Sequence, residues 1–215
     1  MYLILLGSPG TGKGTQANIL ADRFSWLHVS TGDMLREAVT AGTELGKAAK
    51  SYMDQGALVP DNVVIGMLVE RINRPDAEAG FVLDGFPRNL AQAIALDEAL
   101  RQQGKSIDVV LNIVVPEEDL LKRLTGRWLC PNCGEIYHSQ SRPPKQAGVC
   151  DKCGTQLIQR DDDKPETVKA RLEKQRTPDN LLAHFRDQKK LKDVDGQQAV
   201  DKVTADLLGA IEGSK

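Results

Sequence analysis

Aromatic residues are scarce in this chain: four Phe, two Trp and three Tyr make up 4% of its 215 residues. That scarcity disfavours an aromatic-rich β-sandwich and an RNA-stacking platform. An excess of either charge is also missing. Lys and Arg number 28 against 30 Asp and Glu, for a formal net charge of −2. A balance so near neutral is a poor match to a nonspecific nucleic-acid coat or a membrane-surface binder. No run approaches the roughly 20 apolar residues needed to span a bilayer. The apolar start, Met1 to Leu6, has no basic region before it and stops at Gly7, too short for a signal h-region, so a cytoplasmic location is expected. Cysteine is absent outside residues 130–153, where all four occur, and clustering of this kind reads as metal before disulfide. What the chain does have is 40% hydrophobic and 27% charged residues, a composition that argues against wholesale disorder. Its length suits one large domain, or one domain with small insertions, and such a chain buries about 70% of its unfolded surface.

Strand and helix patterns alternate. Residues 2–6 form a short apolar run typical of a strand buried on both faces, and a helical pattern through Ala17, Ile19, Leu20 and Phe24 follows a glycine-rich break. Strands are predicted at 26–30, 81–83, 109–115 and near 192–194. Ser30 and Thr31 stand where a helix N-cap is wanted, ahead of Met34, Leu35, Ala38 and Val39. Further helices are predicted at 62–73, 90–103, 117–125, 166–176, 178–190 and 197–211, the one at 166 following Pro165, which suits a first helical turn. Residues 126–163 lack clear periodicity and carry three prolines between 131 and 144. Strands alternating with helices predict an α/β fold with a parallel sheet.

Three motifs carry chemistry. Gly7-Ser8-Pro9-Gly10-Thr11-Gly12-Lys13 follows a strand and opens a helix, the context of a phosphate loop. Its glycines let several N–H groups converge on an anion, the helix N-terminus adds partial positive charge, and Lys13 adds a full one. The residue after Lys13 is Gly14, with the hydroxyl one position later at Thr15, so direct Mg²⁺ ligation by that hydroxyl is not expected. Asp84-Gly85-Phe86-Pro87-Arg88 ends a strand with an acid and adds a guanidinium fork suited to phosphate, although alone it also reads as an ordinary turn. Cys130-x-x-Cys133 and Cys150-x-x-Cys153, sixteen residues apart, have the spacing of a tetrahedral four-cysteine site, with zinc the first choice and iron or cobalt alternatives. A glycine after each pair permits a tight knuckle. Such a site is closed to substrate and reads as structural. His138 lies close by and is read as a surface histidine. Arg123, Arg127, Arg160 and Arg171 scatter around the irregular segment; singly, each reads as a solvated arginine.

Together, Gly7–Thr15, Ser30–Arg36, Asp84–Arg88, Leu124–Arg127, the cysteine pairs and Arg160–Asp163 closely resemble adenylate kinase of the bacterial long-lid, metal-bearing type, over essentially all of residues 1–211. The resemblance implies ATP + AMP ⇌ 2 ADP with Mg²⁺, by a monomer that binds neither nucleic acid nor membrane. It implies a P-loop kinase core with a five-stranded parallel sheet flanked by helices (1–29, 60–125 and 164–215), an AMP-binding insertion (30–59) and a zinc-ribbon-like lid (126–163). Gly10, Thr11, Gly12, Lys13, Gly14 and Thr15 resemble the ATP phosphate cradle. Arg123, Arg127, Ile136, Tyr137 and Gln198 resemble further ATP contacts. Thr31, Arg36, Ala57, Leu58, Val59, Gly85, Phe86, Pro87, Arg88 and Gln92 resemble the AMP site, with Gln92 reading the adenine edge. Arg160 and Arg171 resemble arginines that enter as the lid closes and, with Lys13, Arg88 and Arg123, form the implied catalytic set. Asp33 and Asp84 resemble residues that hold Mg²⁺ through water. UMP/CMP kinases are the nearest competitor, but they resemble this pattern with alanine in place of Thr31 and with a short lid. A nucleotide switch with a nucleic-acid-binding ribbon is a second alternative. It is weakened by the absence of an aromatic ladder beside Arg142, Lys145 and Lys152.

Overall fold

Leu3 to Leu6 bury every side chain because β1 (Tyr2–Leu6) runs through the middle of a sheet covered on both faces. The computed structural model describes residues 1–214. Its remaining strands are β2 (Leu27–Ser30), β3 (Phe81–Asp84), β4 (Val109–Val114), β5 (Arg127–Leu129), β6 (Ile136–His138) and β7 (Leu191–Asp195). The helices are α1 (Lys13–Phe24), α2 (Thr31–Thr40), α3 (Glu44–Asp54), α4 (Asp61–Ile72), α5 (Leu90–Arg101), α6 (Glu117–Thr125), α7 (Pro165–Lys174), α8 (Asp179–Asp187) and α9 (Val200–Glu212). A five-stranded sheet of order β2-β3-β1-β4-β7 is parallel at every pairing, as the resemblance implied. Among the described residues no helix is long and apolar enough to cross a membrane.

Alternation along the strands divides the core into two layers. Ile4, Leu6, Leu83 and Val110 face α4, α5 and α8 through Leu68, Leu96, Leu100 and Phe185. Leu3, Leu5, Val82 and Leu111 face α1 and α9 through Leu20, Val203 and Leu207. A smaller cluster of Leu120, Leu124, Val168 and Leu172 ties α6 to α7. The parallel register brings the carboxyl ends of β1, β2 and β3 to one edge, with Ser30 opposite Asp84 and the glycine loop beside them. That edge is where ligands bind in open α/β sheets.

Three predicted features are corrected and one helix is added. Helix α3 was not foreseen. Leu45, Ala48, Ala49, Tyr52 and Met53 recur along it at helical spacing, with Leu45 and Met53 packed on the core, and it starts from Thr43, whose Oγ1 accepts from Gly46 N at 3.0 Å. The predicted strand at 26–30 begins at Leu27, because Trp26 N still donates to Ala21 O of α1 at 3.0 Å. The predicted helix at 197–211 begins at Val200. Gly196 N donates to Val114 O at 2.8 Å and Gln197 N to Asp195 Oδ1 at 2.9 Å, which holds 196–199 as a turn. Finally, residues 126–163 are not wholly irregular. Strands β5 and β6 pair antiparallel, and Leu129 bridges Ile158.

Candidate functional site

The glycine loop wraps the end of β1 and delivers α1 with Gly12 as its N-cap and no side-chain cap, so the first N–H groups of the helix are left for a ligand. Gly7 holds φ at +137°, and a Cβ there would lie 2.6 Å from Ile113 O, so only glycine permits the loop to leave the sheet at this point. Lys13, 7% exposed, donates from Nζ to Gly7 O at 2.7 Å and Ser8 O at 2.9 Å. Burial pushes its pKa down to about 7, helped by Arg88, Arg171 and Arg127 and opposed by Asp84. An anion in the loop supplies the charge this ammonium lacks.

Thr31 and Gly85 meet across the ends of β2 and β3, with Thr31 Oγ1 donating to Gly85 O at 3.0 Å. Arg88 Nε donates to the same carbonyl at 2.6 Å, which leaves its terminal nitrogens free of described partners. Burial works against the Arg88 charge, Asp84 for it, and Arg171 and Arg36 against it again. Asp33, one turn into α2 below the Ser30 cap, takes Arg36 Nε at 3.1 Å and Arg160 Nη2 at 3.2 Å. Burial pushes the Asp33 carboxyl up, but these two arginines and Ser30 outweigh it and hold the pKa at about 2.

Two carboxylates absent from the predicted set organise the other wall. Asp163, fully buried, accepts a two-pronged bond from Arg127 (Nε 2.7 Å, Nη2 2.6 Å) and a third from Arg171 Nη1 at 2.8 Å. Asp162 pairs with Arg171 at 3.1 Å and faces Arg36 at 4.0 Å. The Asp163 bonds outweigh the cost of burying Arg127 and raise its pKa. Arg160 Nε and Arg171 Nε are buried without a partner among the described residues, so donor capacity is left over. Arg123, at the end of α6, donates from Nη2 to Gly196 O at 2.9 Å and thereby joins the arginines to the 196–199 turn. Gln198 is itself held by Asp206 at 2.9 Å.

All seven predicted cations (Lys13, Arg36, Arg88, Arg123, Arg127, Arg160 and Arg171) line one cleft of about 1620 Å³. Its walls also carry Gly10 to Thr15, Thr31, Asp33, Ala57 to Val59, Asp84, Gly85, Gln92, Ile136, Tyr137 and Gln198. Two predicted contacts lie apart. Phe86 is 1% exposed in the core, and Pro87 lines a small separate pocket behind the loop. His28, not singled out in the sequence, lines the cleft with Nε2 3.7 Å from Asp84 Oδ2 and Nδ1 2.8 Å from Asn18 Oδ1. Burial pushes the Asp84 carboxyl up, and His28, Lys13 and Arg88 together bring it below the usual range. No described residue reaches Asp84 at hydrogen-bond distance, so its lone pairs are open to water or a hydrated cation.

The cysteines Cys130, Cys133, Cys150 and Cys153 gather with their sulfurs within 4.8 Å of one another and form no disulfide. Three of the contacts are 3.4–3.6 Å. A tetrahedron of thiolates about 2.3 Å from zinc has edges near 3.8 Å, so the donor set fits. Each pair forms the same knuckle, with Gly134 N donating to Cys130 O at 3.0 Å and Gly154 N to Cys150 O at 2.9 Å. Gly134 and Gly154 hold φ at +73° and +74°, as the glycine spacing predicted. His138 is a half-buried tie rather than a free surface group. Its Nδ1 accepts from Gln140 N and Ser141 N at 3.1 Å, so Nε2 carries the proton and donates to Lys122 O at 3.2 Å.

Once this geometry is laid beside known proteins, the match is extensive. The family model described as adenylate kinase matches residues 5–190. Adenylate kinase of Archaeoglobus fulgidus is 54% identical over 217 residues, covering 100% of both chains. The Thermodesulfovibrio yellowstonii enzyme is 50% identical over 213 residues (99% of each chain), and that of Caldicellulosiruptor bescii 52% over 212 (98% of this chain and 99% of the other). This chain therefore belongs to the adenylate kinase family and is a phosphotransferase of the nucleoside monophosphate kinase class.

Proposed function

We propose that the cleft holds ATP and AMP end to end and transfers the γ-phosphoryl group of ATP to the AMP phosphate, giving two ADP. The observation that carries this reading is the convergence of seven cations from one chain on one cleft, more than a single nucleotide needs. The phosphate loop with Lys13, together with Arg123, Arg127, the backbone at Ile136 and Tyr137 and the turn at Gln198, forms the ATP side. Thr31, Arg36, Ala57 to Val59, Gly85, Arg88 and Gln92 form the AMP side, with Phe86 and Pro87 supporting it from behind. Arg160 and Arg171 stand between the two.

The reaction needs positioning more than acid–base chemistry. The AMP phosphate is already ionised at neutral pH, so its oxygen attacks γ-phosphorus with no proton to remove, while the bond from γ-phosphorus to the bridging oxygen breaks toward ADP. Lys13 and the arginines meet the charge that spreads over the transferring group. Asp84 would hold Mg²⁺ through water, and the ion would supply positive charge against the ATP phosphates. Asp33 is the second candidate, although Arg36 and Arg160 already occupy it. Zinc would staple the lid through the four cysteines. Water must be kept out, since it would otherwise accept the phosphoryl group, and a lid at 126–163 hinged on the core serves that purpose. A core at 1–29, 60–125 and 164–215 and an AMP-binding insertion at 30–59 complete the organisation. The enzyme is proposed to act as a cytoplasmic monomer, since one chain supplies the whole site and its cysteines are unpaired.

The test is to incubate the protein with ATP, Mg²⁺ and each of AMP, GMP, CMP and UMP and to quantify the diphosphates. ADP formation strongly preferring AMP is expected. A preference for UMP or CMP would reassign the acceptor.

A further inference from the structure

We infer that Asp61, which does not touch the cleft, selects the acceptor base by fixing the polarity of the Gln92 amide. The inference rests on the reading of Gln92 as the residue that meets adenine. Gln92 lies in the first turn of α5, is 1% exposed and borders the cleft. Its Nε2 donates to Asp61 Oδ1 at 2.6 Å, and its Oε1 accepts from Arg88 N at 2.7 Å. A primary amide has two N–H donors and two oxygen lone pairs. One of each is used within the protein, which leaves one donor and one acceptor for a base.

The two ends of an amide have nearly the same shape, so sterics alone would let Gln92 turn over. The partners forbid it. Turned, Oε1 would face a carboxylate that can only accept, and Nε2 would face a backbone N–H that can only donate. Asp61 is itself anchored at the start of α4, because each of its oxygens accepts from Asn89 Nδ2 at 3.0 Å. Asn89 cannot turn either, since its Oδ1 caps α5 by accepting from Gln92 N at 2.9 Å. A chain of fixed polarities therefore runs from the helix cap through the carboxylate to the amide, and its bonds to Asp61 are charge-assisted.

Adenine offers an acceptor at N1 beside a donor at its amino group, which the fixed amide can pair. Hypoxanthine offers the reverse, a donor at N1 beside an acceptor at O6, and would pair only with the turned amide. Asp61 is thus a positioning residue, acting on base choice through Gln92.

The test compares kcat and KM for AMP and IMP, at saturating ATP and Mg²⁺, in the wild type, Asp61→Ala, Asp61→Asn, Gln92→Leu and the Asp61→Ala/Gln92→Leu double variant. Asp61→Ala should raise KM for AMP about tenfold and leave KM for ATP within about twofold. The AMP-over-IMP ratio of kcat/KM should fall about tenfold, or about 1.4 kcal/mol. Asp61→Asn, which keeps the shape and one acceptor oxygen, should fall between. In the Gln92→Leu background, Asp61→Ala should lower the ratio no further. An unchanged ratio in Asp61→Ala, equal losses for ATP and AMP, or a further fall in the double variant would overturn the inference. If Asp61→Ala does not fold, an unchanged ratio in Asp61→Asn overturns it. Should Gln92→Leu keep the preference, the base reading fails and takes the inference with it. Should Gln92→Leu lose the preference while Asp61→Ala keeps it, the inference about Asp61 alone fails.

Discussion

The phosphate-loop wall and the cysteine-bearing wall of the cleft present the same kind of side chain but are held by different physics. The loop grows from β1, whose Leu3 to Leu6 are buried between two apolar layers. The opposite wall buries little besides Cys130, Tyr137, Cys150 and Leu157. Fully burying a large apolar side chain contributes about 1.5–3 kcal/mol, whereas ordering the backbone costs about 1–2 kcal/mol per residue. Two such side chains cannot order a segment running from 126 to 163; the Asp163 ion cluster adds to them, and metal ligation by the four sulfurs is the proposed source of the rest. The lesson is that one wall is held by the apolar core and the other by an ion cluster and a four-sulfur set that could hold a metal; on the proposed lid reading, the second wall would shift as one piece and bring its arginines with it.

If the four cysteines hold a metal as proposed, the contrast is broken most severely by removing it. Chelation should unfold the lid segment, with an effect on its folding of order 10 kcal/mol, while the core sheet keeps its own thermal transition. Calorimetry and far-UV circular dichroism with and without chelator read this directly, and loss of activity with no change in melting would show the cysteines to be catalytic. Next comes Lys13→Ala, expected to lower kcat roughly 10³-fold, or about 4 kcal/mol, without lowering the melting temperature, since a buried charge is removed. Steady-state kinetics and thermal unfolding of one sample check both halves, and unchanged turnover would remove Lys13 from the site. Asp163→Ala strips the shared partner from Arg127 and Arg171 and should cost about 3 kcal/mol of stability in denaturant unfolding. Gln92→Ala should raise KM for AMP about tenfold and spare KM for ATP.

The smallest effect is a proton. With its pKa lowered from 10.5 to about 7, Lys13 binds fewer protons in the folded chain than in the unfolded chain between those values, so its burial penalty shrinks as pH rises through that window. Phosphate in the loop reverses the shift, and ATP binding at pH 8 should take up as much as one proton. Titration calorimetry in buffers of different ionisation enthalpy measures this, and the uptake should vanish in Lys13→Ala.

Legibility in the sequence follows the same contrast. β1, β3 and β4 were readable because strands covered on both faces read as short apolar runs, broken here only by Asn112 within β4 and by Asp84 at the end of β3. The glycine loop and the cysteine knuckles were readable because a short contiguous spacing specifies their geometry. Helix α3 was overlooked although Leu45, Ala48, Ala49, Tyr52 and Met53 mark one face at helical spacing; what no local pattern could give is its close packing on α2, where a Cβ at Gly46 would meet Ala38 O. Asp163 fell within a recognised motif, Arg160–Asp163, but its role was hidden because its partner Arg127 is 36 residues away, and no local pattern links a carboxylate to a guanidinium across that distance. Asp61 likewise meets Gln92 only when α4 and α5 pack together. The near-neutral total charge also takes on a local meaning. Four of the cleft arginines, Arg36, Arg127, Arg160 and Arg171, are set against Asp33, Asp162 and Asp163, which hold them in place.

The most direct test of the central claim is stoichiometric. With ATP, Mg²⁺ and AMP, two ADP should form for each ATP lost, and inorganic phosphate should stay at background whether or not AMP is present. Phosphate release from ATP without AMP at a rate comparable to ADP formation would contradict the account, because it would mean that water, and not a positioned AMP phosphate, receives the transferred group.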